Sequence, residues 1–201
     1  MMTIKEWWEK AHREKNEEWL SGNTGKTIWE FLNIVDLIQS SKTILNIGVG
    51  LGYDTKELYD RKVNVQALDI SEIALERVKN YIVAGYLSTQ LGDIPSGKFD
   101  LAISYLVVQH INEKDLLEQM SVIIRSLKPD GIFAMQFATG TDKGYKKREN
   151  LDAQMRGGVC WTLEEMKQLV ERANGKIVWA SNPKFWYKYK CKWYAIHIKR
   201  R

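Results

Sequence analysis

The junction at residues 43–53 constrains this chain more than any other stretch. Thr43-Ile44-Leu45-Asn46-Ile47 reads as a short apolar strand, and the chain passes straight into Gly48-Val49-Gly50-Leu51-Gly52 before a helical pattern starts at Tyr53. Three glycines in five positions let the main chain turn sharply and leave its amides free of Cβ atoms, so a ligand can approach them. A tight strand-to-helix turn with no ligand would use the same residues. The neighbourhood has to decide between the two.

That neighbourhood alternates. Strands are expected at 43–47, 63–68, 87–91, 99–105 and 132–138, with helices between them at about 53–60, 71–82 and 113–127, the last stopped by Pro129 and Gly131. Strands alternating with helices give a parallel sheet covered on both faces, an α/β fold. After residue 138 the rhythm changes. A polar stretch over 139–160 carries Lys146-Lys147-Arg148 and is too long for an ordinary connection, which makes it a candidate substrate loop. Thr162 with Glu165 has the spacing of a capping box, and two strands at 176–180 and 191–198 follow without an intervening helix, so they should be antiparallel. Ahead of the alternation, residues 3–20 and then a segment to about Gln39 read as helices, broken at Ser21-Gly22-Asn23-Thr24-Gly25. The expected organisation is an N-terminal helical cap over 1–40 and one ligand-binding domain over 41–201.

Composition enters as a set of exclusions. At 201 residues, 44% hydrophobic and 27% charged, the chain suits one globular unit rather than a disordered one. No apolar run approaches the ~18 residues of a membrane span, and the start has no apolar signal region, so the cytoplasm is the expected compartment. Two cysteines cannot build a disulfide framework, and no metal site is expected. The net charge of +5 is local: residues 182–201 hold seven Lys and Arg and no acid. The eight tryptophans are segregated too, at 7, 8, 19 and 29 and again at 161, 179, 186 and 193. The ends of the chain therefore read as the parts that contact something.

Two acids sharpen the glycine turn into a pocket. Asp69 ends the second strand, where a carboxylate can accept hydrogen bonds from both hydroxyls of a ribose. Asp93, in Leu91-Gly92-Asp93-Ile94, closes the third, where it can take the exocyclic amine of adenine while Ile94 lies on the ring face. Each acid alone could be a solvated loop carboxylate or a cap. Beside the glycine turn, the pair points to an adenosine. The spacing is not the Gly-x-Gly-x-x-Gly of a dinucleotide site, since Tyr53 stands at the third glycine's place, and no Lys-Ser/Thr closes a phosphate loop.

These residues resemble the class I S-adenosylmethionine-dependent methyltransferases over about 40–138. Residues 45–52 are similar to the family's first motif, Leu68-Asp69-Ile70-Ser71 to its ribose motif, and Gly92-Asp93-Ile94 to its adenine motif. Residues 99–111, with Ser104, Tyr105 and His110, are similar to its fourth strand and the turn after it. The resemblance implies a Rossmann-like seven-stranded mixed sheet in the order 3-2-1-4-5-7-6 with strand 7 antiparallel, S-adenosyl-L-methionine as cofactor, and Asn46, Gly48, Gly50, Gly52, Asp69, Ile70, Asp93, Ile94 and Ser104 as cofactor-binding residues. Position 46 departs from the pattern, being Asn where the family usually has an acid.

The reaction so implied is methyl transfer by in-line displacement to an O or N nucleophile, with the acceptor held about 3–3.5 Å from the methyl. A base is needed only where the acceptor keeps its proton until attack, and His110 is the candidate; its alternative is packing or capping the next helix. Tyr105 and Trp19 are candidate substrate-binding residues, each with core packing as the alternative. The favoured acceptor is a small molecule. RNA or another polyanion, bound through Lys146–Arg148 and the basic aromatic segment 184–192, is the second reading, and a non-catalytic adenosine-ligand-binding subunit is the third.

Overall fold

The structure, a computed structural model, describes residues 2–14, 26–139, 151–156, 158–186 and 191–201. Its sheet carries β1 (Thr43–Ile47), β2 (Asn64–Asp69), β3 (Ala84–Leu87), β4 (Phe99–Ser104), β5 (Leu127–Thr139), β6 (Gly175–Ala180), β7 (Lys184–Trp186) and β8 (Cys191–Arg200). The order is β3-β2-β1-β4-β5-β8-β6, with β7 also paired to β8. The first five strands run parallel and β8 is antiparallel to both β5 and β6. This is the expected order, with β8 in the place of the seventh strand. β7 is an addition: it continues the β6 edge beyond residues 181–183, where Pro183 interrupts the ladder, and pairs Lys184 with Trp193 and Phe185 with Lys192.

Side-chain alternation along the strands builds a core on each face. Ile44, Leu101, Ile103, Ala134 and Ala195 point to one face, and Leu45, Ala102, Phe133, Met135 and Ile196 to the other. The second face is covered by α6 (Glu113–Ser126) and α8 (Leu163–Arg172) through Met120, Ile123, Ile124, Met166 and Leu169. The first is covered by α2 (Lys26–Phe31), α3 (Val35–Ser40) and α4 (Tyr53–Asp60) through Ile28, Trp29, Ile38 and Leu58. His197 on β8 donates from Nε2 to the Leu32 carbonyl at 2.7 Å, tying the last strand to these early helices. α5 (Glu72–Val78), capped by the Ser71 hydroxyl, packs Ala74 and Val78 against Val49 and Ala67.

Several boundaries differ from the periodicity. The first helix, α1, spans Ile4–Arg13, capped by the Thr3–Glu6 box, while residues 15–25, including the expected break at 21–25, lie outside the described residues. The helix expected to run to Gln39 is two, because Asn33 takes φ 54° and reverses the chain between α2 and α3. The third strand was expected at 87–91 and lies at Ala84–Leu87, since its register is set by β2: Leu87 pairs with Asp69, and Ser88 N–H closes on the Asp69 carbonyl at 2.9 Å. Pro129 and Gly131 do not end α6. That helix stops at Ser126, and β5 begins at once because Leu127 pairs with Phe99 at the start of β4. The Thr162–Glu165 capping box forms as the spacing predicts. α7 (Leu151–Met155) occupies part of the 139–160 stretch, and residues 140–150 with Lys146, Lys147 and Arg148 lie outside the described residues.

Candidate functional site

The parallel strands all end on one side of the sheet, and the turns leaving β1, β2 and β4 converge there. Gly48, Gly50 and Gly52 have φ of 73°, 53° and 87°, the left-handed region where glycine alone is unstrained. Their surroundings differ. A Cβ on Gly48 would sit 2.1 Å from Val107 Cγ2, and one on Gly52 would sit 2.7 Å from Val78, so these two are glycines because the protein closes on them. Around Gly50 nothing lies within 4 Å of where a Cβ would be. That is the glycine left open to a ligand.

The β4 turn is held by a residue the sequence did not single out. Buried Gln136 on β5 accepts the Leu106 N–H at 2.8 Å, fixing Leu106 at φ 56°. From this left-handed step Val107 packs onto Gly48, and a 3-10 turn over Val108–His110 carries Gln109 and His110 into the same space.

A cavity of about 820 Å³ opens among these turns. Its wall takes in Gly48, Gly50, Gly52, Asp69 and Ile70 together with Tyr105, Gln109 and His110. Of the remaining residues expected at the site, Asn46 is buried below it, its amide donating to the Thr55 hydroxyl at 3.0 Å and tying β1 to α4. Ser104 is buried inside the sheet between Ile47 and Met135. Asp93 stands exposed at the end of a 3-10 turn over Leu91–Asp93, and Ile94 is in the core; Ser88, Thr89 and Leu91 line the wall in that region instead. Trp19 lies outside the described residues.

α1 lies across the mouth, with Ile4, Lys5, Trp8 and His12 on the cavity wall. Trp8 meets the His110 ring edge-on at 4.8 Å. The helix is held by Lys5 on Glu72 at 2.8 Å, by the Glu72 N–H donating to Glu9 Oε1 at 2.7 Å, and by Arg77, which bonds His12. Trp8 carries the aromatic signal noted at the N-terminus. Arg77 has none, because its partners are remote in sequence.

Two groups define the electrostatics. The Asp69 carboxylate is buried, which pushes its pKa up to about 6, while N–H donors, among them Ser71 at 2.9 Å and Gly50 at 3.4 Å, act in the opposite direction. A buried carboxylate on the pocket wall can still accept from a ligand that brings donors, as a ribose diol does. His110 donates from Nδ1 to the Gln154 carbonyl at 2.7 Å, since a carbonyl can only accept. Burial lowers its pKa to about 4, so at neutral pH the ring is uncharged and Nε2 carries a lone pair. An open glycine cradle beside a buried carboxylate, in a cavity of this volume, fits an adenosyl ligand.

A doubly wound sheet in this order with its one antiparallel strand is the class I S-adenosylmethionine-dependent methyltransferase fold. Residues 45–135 match the family described as a methyltransferase domain. Among solved structures the chain is similar to the 1,6-didemethyltoxoflavin-N1-methyltransferase of Burkholderia thailandensis, bound to 1,6-didemethyltoxoflavin and S-adenosylhomocysteine, at TM-score 0.71 and 15% identity over 98% of this chain and 87% of that one. It is also similar to the CcbJ methyltransferase of Streptomyces caelestis, at TM-score 0.69 and 14% identity over 100% and 99%. Among curated proteins it is 33% identical over 110 residues to a malonyl-[acyl-carrier protein] O-methyltransferase of Acetivibrio thermocellus, a match covering 51% of this chain and 38% of that protein. No helix among the described residues is long and apolar enough to cross a membrane.

Proposed function

We propose that this chain is a cytoplasmic enzyme that methylates a small-molecule acceptor at nitrogen or oxygen. The observation carrying this reading is the cavity itself: its wall combines the glycine turn and Asp69 with Trp8, Tyr105 and His110, and α1 lies along it. A concave pocket of this volume suits a compact acceptor.

Bound S-adenosylmethionine supplies an activated methyl group on a sulfonium. The residues that would hold it are Gly50 through its open main chain, Asp69 through the ribose, and Ile70 and Leu91 through their apolar surfaces. α1 excludes water, which lets the acceptor sit where its lone pair faces the methyl. His110 Nε2 accepts a hydrogen bond from the acceptor's N–H or O–H and orients it. A ring with a pKa of about 4 is a weak base. It suits an acceptor whose proton is acidic already or becomes so as the new bond forms, and it suits an aliphatic alcohol poorly. A carboxylate acceptor, such as the malonyl group in the relative's name, needs no base at all.

The basic aromatic segment adds little to the polymer reading among the described residues. Lys184 and Phe185 pair with Trp193 and Lys192 as an ordinary antiparallel ladder, and Trp193 is buried. The test is transfer of a labelled methyl from S-adenosylmethionine into fractionated extract, with label expected in the low-molecular-mass fraction. Label confined to RNA would overturn the acceptor assignment. With an acceptor in hand, His110→Ala is expected to lower kcat by about 10²-fold or more while S-adenosylhomocysteine affinity stays within about twofold. An unchanged kcat would remove His110 from the chemistry.

A further inference from the structure

α1 closes the cavity without being built into the core. Of its residues only Ala11 and His12 are fully buried, and besides the Trp8 contact with His110 its described tethers are polar: Lys5 and Glu9 on Glu72, and His12 on Arg77. An element whose apolar residues are mostly half-buried opens at a lower local free energy than the fully buried strands beneath it.

Arg77 is the unusual tether. Its Nη1 donates to the Gly50 carbonyl at 3.0 Å and lies 3.3 Å from His12 Nδ1, and its Nη2 donates to the His12 carbonyl at 3.1 Å. Burial and the adjacent guanidinium keep His12 neutral, with a pKa of about 4, so Nδ1 can accept. One side chain on α5 thus holds the covering helix and the open glycine of the turn together. Gly50 is held from its other side as well, its N–H pointing to Asp69 Oδ2 at 3.4 Å. A continuous path of polar contacts runs from the ribose carboxylate through Gly50 and Arg77 to α1.

We infer that Arg77 is a positioning residue that clasps α1 to the cofactor turn, so that cofactor exchange requires the clasp to open and cofactor binding closes it. The inference rests on the cofactor reading above. Its chemistry is reversible hydrogen bonding: a ligand drawing on the Asp69 carboxylate settles Gly50, and a settled Gly50 carbonyl presents a better acceptor to Arg77. Lys5 and Glu9 supply a second tether on α1 that does not touch the turn.

The test uses the full chain with S-adenosylhomocysteine as the probe. Dissociation is followed by stopped-flow, and the accessibility of α1 by limited trypsin cleavage after Lys10 and Arg13. In the wild type the probe is expected to slow cleavage at both sites by about tenfold or more. Arg77→Ala should raise the dissociation rate about tenfold and abolish that protection. Glu9→Ala, which leaves the turn untouched, should raise the rate about threefold. Arg77→Lys keeps one donor and should fall between wild type and Arg77→Ala; it also serves if Arg77→Ala does not fold. Binding of the probe with no protection of α1 overturns the clasp, and so does a wild-type dissociation rate in Glu9→Ala. Either result leaves the methyltransferase reading intact. A wild type that does not bind the probe at all sinks that reading first.

Discussion

Asp69 carries the sharpest prediction because it should set stability and binding against each other. Burial raises the carboxyl from 3.8 to about 6. Its native form therefore binds a proton more tightly than the unfolded chain does. The sign follows from that: acidification through pH 6 relieves the ligand-free fold, and above pH 6 the ionised group costs it about 3 kcal/mol. Asp69→Asn removes this charge and keeps one carbonyl oxygen for the Ser71 N–H. Its amide also sets new donors near Gly50, so the net gain should be smaller, at least about 1 kcal/mol, or about 2–4 °C in Tm at pH 7.5 for a domain of this size. Ligand binding should move the other way. At pH 5 only about a tenth of a group titrating near 6 is ionised, so S-adenosylhomocysteine should bind about tenfold more weakly than at pH 7.5, or about 1.4 kcal/mol. His12 and His110, both held at about 4, stay neutral across that window and do not contribute. Calorimetric titration at several pH values, with scanning fluorimetry of both proteins, measures each quantity. Flat affinity from pH 7.5 to 5, or an Asn variant that binds as tightly as wild type, would refute the reasoning.

The glycine turn separates in the same manner. Gly48→Ala should lower Tm by several degrees or prevent folding, because its methyl meets Val107, whereas Gly50→Ala should cost about 1 kcal/mol in backbone strain yet weaken S-adenosylhomocysteine at least tenfold; equal effects on stability would contradict the two roles. Asp100 joins the start of β1 to β5. Burial pushes its carboxyl up, but Lys128 and the Thr43 hydroxyl and amide outweigh that and hold it at about 2, so Asp100→Ala should lose about 1–3 kcal/mol at pH 7, and the wild type should lose this contribution as pH falls from about 4 toward 2 in denaturant titrations. Thr162→Ala removes the α8 capping box and should cost about 1 kcal/mol by urea unfolding without changing ligand affinity.

The parts legible in the sequence are those whose cause is local. Period-two and period-3.6 patterning marked the strands and helices, the Thr162–Glu165 spacing marked a cap, and three glycines between a strand and a helix marked the turn, because each signal is written within a few residues. Asp69 was legible for the same reason: it ends a strand, and parallel strands end together. The third strand was misplaced because the register of β3 is dictated by β2, some twenty residues away, and no pattern within 87–91 encodes it.

Tertiary structure alone decided the rest. That Gly48 is closed by Val107 while Gly50 is open depends on a turn held by Gln136, from a strand 30 residues further on. That His110 is a neutral acceptor depends on a carbonyl 44 residues away and on burial. That Arg77 joins Gly50 to His12 spans separations of 27 and 65 residues. Patterning says which face of an element is buried. It is silent on which polar atoms meet once those faces have packed, and the chemistry of this pocket resides in those meetings.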